Sequence, residues 1–287
     1  MPHEHVHTDL LPLSEGGDRQ VDADIIVDAV LPKLRRARRA GVGLIVECTP
    51  PYVGQNVRAV HAACKAAGID LVVATGLYKE AFQPPWALGA SAAELAEWMR
   101  SHIEEGIDGT GLRAGFIKLA VTDSGATPAE DKVLEAAVAT STSLGVAVAS
   151  HCPVGRNALH QLDLLEKLGG DPSRYIQVHA NAEADLELHL EILRRGAWIE
   201  YDSIGGGASD EAFLRVILRV LDAGYCGRLL LSQDVCGYLV DRAPHGDDRE
   251  YAYLVESFVP AMREAGVAEG DIDRLVRGNP AKAFSFA

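Results

Sequence analysis

Short apolar runs alternate with stretches of helical periodicity along nearly the whole chain. Residues 44–48 (LIVEC), 71–75, 115–121, 146–150, 175–178, 198–201 and 228–232 are near-continuous apolar runs of strand length. Such runs are expected where both faces of a parallel sheet are covered. Between them, 28–40, 56–67, 91–105, a segment opening at 127, 157–168, 183–195 and 209–223 read as helices. Gly41 and Gly68 close two of these helices, Ser91 with Glu94 fits a capping box, and Pro128 takes the first helical position after Thr127. With one more strand at the N-terminus the alternation predicts an α/β fold of eight βα units, a (β/α)8 TIM barrel forming one domain over 1–287. A doubly wound open sheet is the alternative, weakened by the lack of GxGxxG after an early strand. A long polar loop, 236–249, is expected before the last helices.

Composition narrows the partners. The chain has 287 residues, 48% of them hydrophobic, enough for one large core. Its net charge of −14 argues against nucleic acid or an anionic membrane surface as a partner. The basic run Lys33-Leu-Arg-Arg-Ala-Arg-Arg39 precedes Gly41 and reads as a helix end, where cations complement the dipole. Five cysteines without a CxxC pair suit reduced thiols of a cytoplasmic protein. Neither a signal peptide nor a membrane-length apolar run is visible. Only Met1 and Pro2 precede His3, so either the true start lies upstream or the first strand is stunted, which would weaken the buried metal.

The chemistry sits at the strand ends. Lys118 interrupts the apolar run GFIKLAV, and an isolated buried ammonium is costly without a charge partner, a Schiff base or a metal. His3 and His5 are expected at the end of the first strand, on one face because the strand period is two, with His7 one step further out. His151, His179 and Asp234 end later strands. In a parallel barrel all these ends share one face, and imidazole and carboxylate are good Zn²⁺ ligands. A Schiff-base lyase also uses a lysine inside a barrel strand, but it has no need of four histidines and an aspartate. Glu47 and Cys48 end the second strand, and Cys152 and Cys236 are expected to be small packing residues and not thiolate ligands. Gly205–Gly207 read as a flexible loop, and Arg156 as an anion contact or a surface charge. The loop residues Asp241, Arg242 and His245 are candidates for substrate selectivity.

The chain resembles the phosphotriesterase family of the amidohydrolase superfamily. The matching stretches are HEH at 3–5, ATGLY at 74–78, EEGIDGTGLRAGFIKLA at 104–120, SHCPVGRNALHQLDLLEKLG at 150–169, VHA at 178–180, LSQDVC at 231–236 and NPAKAF at 279–284. The resemblance implies a binuclear centre of divalent ions, Zn²⁺ first, with Mn²⁺, Co²⁺ or Fe²⁺ as alternatives. His3, His5 and Asp234 would hold the more buried ion and His151 and His179 the more exposed one. N6-carboxylated Lys118 and a hydroxide would bridge them. It also implies catalysis in which that hydroxide attacks and Asp234 accepts the proton. Tyr78 either lies against the substrate, as in the family's lactonases, or packs in the barrel mouth. Ser203 departs from the arginine or histidine that relatives carry there, which puts lactone and triester in question alike. The expected activity is hydrolysis of a small-molecule lactone or related carboxyl ester, with weak phosphotriesterase activity. An amide hydrolase on the same centre and a metal-poor binding protein are the alternatives. A homodimer is the assembly that the resemblance suggests.

Overall fold

The computed structural model describes residues 1–242 and 249–286. Seven parallel strands form one sheet in sequential order: β2 (Leu44–Glu47), β3 (Asp70–Thr75), β4 (Ala114–Ala120), β5 (Ala147–His151), β6 (Tyr175–Val178), β7 (Trp198–Tyr201) and β8 (Leu229–Leu231). The order never reverses, unlike that of a doubly wound sheet. Helices follow the strands, among them α1 (Ala23–Ala40), α2 (Val57–Ala67), α3 (Pro85–Gly89), α4 (Ala92–Glu104), α5 (Pro128–Leu144), α6 (Gly155–Lys167), α7 (Leu186–Arg194) and α8 (Asp210–Asp222). Both hydrogen bonds of the Ser91/Glu94 box are made, and Thr127 with Glu130 forms a second box behind Pro128. Helix α1 begins five residues before the expected 28, because Asp22 caps it by accepting from the Asp24 N–H.

The N-terminal segment touches both edges of the sheet. The Glu4 N–H donates to Val46 O (3.0 Å) beside β2, and the Asp234 N–H to His3 O (3.3 Å) beside β8. The sheet therefore curls until its edges share one short segment. The first strand itself, β1 (His5–Thr8), pairs in parallel with β9 (Cys236–Leu239). This corrects two expectations. His5 opens the first strand and His3 precedes it, rather than both ending it. The supposed loop from 236 begins as a strand, because His5–Thr8 offers its ladder partners there.

Outward-facing strand residues meet the helices in a layer including Leu95, Met99, Leu134, Leu162 and Ile217. On the opposite face Val46, Ala74, Phe116, Ala149, Ile176, Trp198 and Leu230 fill the inside of the curl. Lys118 lies two residues beyond Phe116 on β4, so alternation puts it on the same inner face, nearer the carboxyl ends. Gly76 makes this approach possible. Its φ is +110°, and a Cβ there would lie 2.2 Å from Lys118 O. Gly76→Ala is expected to cost about 2–4 kcal/mol, measured by urea unfolding; an unchanged midpoint would contradict the close approach.

Candidate metal centre

One cavity of about 320 Å³ at the carboxyl ends of the seven-stranded sheet is lined by His3, His5, Tyr78, Lys118, His151, His179, Asp202, Ser203, Asp234 and Cys236 among others. The tertiary fold thus gathers His3, His5, Lys118, His151, His179 and Asp234, along with Tyr78. Arg156 is exposed on α6 and is not among the lining residues. Asp241 and Arg242 are exposed, Asp241 pairing with Arg19, and His245 lies outside the described residues. Cys152 is buried, whereas Cys236 is half-buried and faces the cavity.

Each of the four histidines commits its Nδ1 to a neighbour. His3 Nδ1 pairs with Glu200 Oε1 at 2.6 Å, and His179 Nδ1 with Asp202 Oδ1 at 2.8 Å. His151 Nδ1 meets the Tyr78 hydroxyl at 3.0 Å. His5 Nδ1 meets Thr49 Oγ1 at 2.7 Å, and that hydroxyl donates to His7 O at 3.0 Å. A hydroxyl has one hydrogen, so Thr49 must accept from His5, which fixes the proton on Nδ1 and leaves Nε2 with its lone pair. The Nε2 atoms of His3 and His5 are 3.2 Å apart, and Asp234 Oδ1 lies 3.5 and 3.3 Å from them.

Protonation states suit ligands at His3, His151 and Asp234, whereas His179 has to give up a proton that Asp202 favours. Burial, aided by Lys118, holds His3 well below the ordinary histidine pKa. Burial and then His179 do the same to His151. His179 goes the other way: burial opposes its charge, but Asp202 outweighs this and raises it. For Asp234, burial would raise the carboxyl, yet His3 and His5 draw it far below the carboxylate range. Neutral imidazoles and an ionised carboxylate are the forms that bind metal.

Two observations test whether this chain fits a bound cation. Lys118 is 1% exposed and its Nζ has no hydrogen-bond partner. Two carboxyl groups line the cavity, the buried Asp202 and the half-buried Asp234, and Glu200 backs His3, an arrangement whose charge a cation would offset. Among the described residues, two donor groups converge within 4.8 Å, His3/His5/Asp234 and His3/His179/Asp202. In the second, Asp202 already accepts both the N–H of His179 (2.9 Å) and its Nδ1–H, so it serves to orient the ring. The donor set fits.

Backbone strain marks the same place. His179, Ser203 and Asp234 follow β6, β7 and β8 with φ of 64°, 59° and 52°. Left-handed backbone at non-glycine residues costs about 1 kcal/mol or more and gathers at functional sites. Sequence reading missed Thr49, Glu200 and Asp202, which orient the rings. Asp202 directly follows β7 much as His179 follows β6, and that strand-end position was the available signal. Gly205 and Gly206 also have a definite role, while Gly207 has open space where a Cβ would sit. A Cβ on Gly205 would lie 2.6 Å from the Tyr253 ring and one on Gly206 3.1 Å from Arg249 Nη1, so these glycines admit close packing.

Histidines and carboxylates at parallel strand ends, gathered about a buried lysine, define a metal-dependent class of α/β hydrolases. The chain belongs to the phosphotriesterase family, whose sequence profile matches residues 1–284. It is 31% identical to the phosphotriesterase homology protein of Escherichia coli, over 99% of this chain and 97% of that one. It is 29% identical to an aryldialkylphosphatase of Saccharolobus solfataricus (88% and 84% covered) and 26% identical to the N-acetyltaurine hydrolase of Danio rerio (91% and 78%). Among solved structures, the E. coli protein complexed with phosphate in its active site superposes with a TM-score of 0.87 at 31% identity, covering 99% and 97%. A multiply substituted PTE-like lactonase from Deinococcus radiodurans gives 0.89 at 30%, covering 99% and 94%. Among the described residues no helix is long and apolar enough to cross a membrane.

Proposed function

We propose that this chain is a binuclear metal-dependent hydrolase on a closed (β/α)8 barrel, acting on a lactone or related carboxyl ester. The observation that carries the metal reading is the convergence of His3 Nε2, His5 Nε2 and Asp234 Oδ1 within 3.5 Å of one another. Three acceptor atoms so close call for a proton or a cation among them, and a cation can serve all three at once. His3, His5 and Asp234 would hold one ion and His151 and His179 the other. Lys118, as a carbamate formed from its amine and CO₂ with loss of a proton, would serve both. Zn²⁺ is the first choice of metal.

The bound ions would supply Lewis-acid activation of a carbonyl and acidification of a water molecule. The chain's own residues do the rest. Ionised Asp234 accepts the proton at Oδ1. Glu200, Thr49, Asp202 and Tyr78 hold the four imidazoles at the angles given by their Nδ1 contacts. Leu10, Pro50, Val53, Pro153 and Ala182 add apolar lining against which an apolar part of the substrate can pack.

The lining favours a neutral substrate. Among the described lining residues Lys118 is the only lysine or arginine, so no second cation is present to hold an anionic group. An uncharged lactone with an apolar tail fits this better than an acyl amide carrying a fixed negative charge. The solved PTE-like lactonase relative supports the same substrate class. The test is metal content by plasma mass spectrometry, on protein grown with added metal and bicarbonate, followed by matched lactone and amide series. About two ions per chain are expected, with kcat/KM for lactones at least about tenfold above the amides. Faster amides would overturn the ester reading, and metal-free folded protein would overturn the hydrolase.

A further inference from the structure

The catalytic reading of Asp234 leaves open what holds this residue in a left-handed backbone conformation. Two side chains do so from opposite sides. Arg249 Nη1–H donates to Gln233 O at 2.6 Å and Nη2–H to Asp234 O at 2.7 Å. From the other side, Glu4 Oε1 accepts the Ser232 hydroxyl (2.9 Å) and the Gln233 N–H (3.2 Å), and Glu4 Oε2 accepts the Val235 N–H (2.8 Å). The carbonyls of 233 and 234 and the N–H groups of 233 and 235 are all held, while the strained residue between them has φ +52°. Glu4 lies between His3 and His5 in sequence, so alternation turns it from their face toward the backbone beyond β8.

We propose that Arg249 is a positioning residue for Asp234, with Glu4 as the opposing jaw of one clamp. The chemistry requires a planar fork, because two successive carbonyls are reached at once by two N–H groups of one guanidinium. The lysine ammonium is a point donor and does not reproduce this geometry. Gly206 is part of the arrangement. A side chain there would press against Arg249 Nη1 and Cδ at 3.1 and 3.4 Å, so the glycine after Ser203 leaves room for the guanidinium. Without the fork, the 233–234 segment is free to relax toward extended backbone, which swings the carboxylate away from His3 and His5.

The inference rests on the metal reading, and the experiment separates the two. Wild type, R249A and R249K are loaded with Zn²⁺ and dialysed against dipicolinate. Retained zinc is then measured, along with circular dichroism and kcat and KM on a lactone turned over by wild type. R249A is expected to fold, to lose one zinc about 10–100-fold more readily, and to lose kcat by a similar factor. Its KM should stay within about threefold, since no substrate contact is removed. Millimolar guanidinium should restore part of kcat in R249A, and R249K should fall short of wild type. Retention and kcat within about twofold of wild type in R249A overturn the proposal. If R249A fails to fold, R249K decides by the same criteria. A kcat loss that guanidinium leaves untouched and that tracks a lowered melting temperature overturns it too, as ordinary destabilisation. Wild type that takes up no zinc overturns the metal reading first and the clamp with it.

Discussion

Lys118→Met is expected to abolish stable metal uptake while making the metal-free protein more stable. The two effects have one origin. The Lys118 amine is buried without a hydrogen-bond partner, and the proposed carbamate shared by two cations would give it one. Methionine has similar volume, no polar atom and enough flexibility to fill the space above Phe116. Removing an unsatisfied buried polar group should add about 1–3 kcal/mol to the apo protein, read as a higher urea midpoint. The same change deletes the group meant to serve both ions, so kcat/KM should fall by about three orders of magnitude or more. Plasma mass spectrometry, urea titration and steady-state kinetics check the three parts. A variant with full metal content and activity within tenfold of wild type would sink the role given to this lysine. A Schiff-base enzyme would also die on this substitution, but its wild type would be indifferent to chelators and trappable with borohydride.

The second large effect is expected at Asp234. Asp234→Asn keeps the shape but removes the charge, and it can present an amide N–H where lone pairs now converge on His3 and His5. Loss of the proton acceptor should lower kcat by about 10²–10⁴, and the ion shared with His3 and His5 should bind more weakly. Because the wild-type carboxyl is held far below the carboxylate range by those histidines, it is ionised throughout the neutral range, and raising the pH should not rescue the variant. Rates measured at saturating substrate from pH 6 to 9 test this. A kcat within threefold of wild type would mean that another group takes the proton.

Much of the architecture was legible because its causes are local. An apolar run buried on both faces announces a parallel strand, and capping residues such as Ser91 and Thr127 announce where helices begin. His151 at the end of β5 was legible, as were His179 just after β6 and Asp234 just after β8, because chemistry at consecutive strand ends has a pattern in one dimension. The placement of His3 and His5 was read wrongly. Their strand is defined by its partner β9, more than two hundred residues away, and nothing near position 5 encodes that pairing. The same distance hid the purpose of Glu4, whose bonds run to Ser232, Gln233 and Val235.

Residue type and periodicity along the chain were enough to name the candidate ligands and the order in which strands present them, since both are properties of neighbours in sequence. The tertiary structure alone decided which nitrogen of each histidine faces the cavity. That choice depends on a hydrogen bond from Nδ1 to a group brought in from another strand or loop: Glu200 for His3, Thr49 for His5, Asp202 for His179 and Tyr78 for His151. It also decided that Gly76 and Gly205 had to be glycines, because the atoms that would clash with a Cβ belong to Lys118 and Tyr253. The physical reason is the same in both cases: hydrogen bonds and steric exclusion act over a few ångströms of space, and only folding sets which residues lie within that reach.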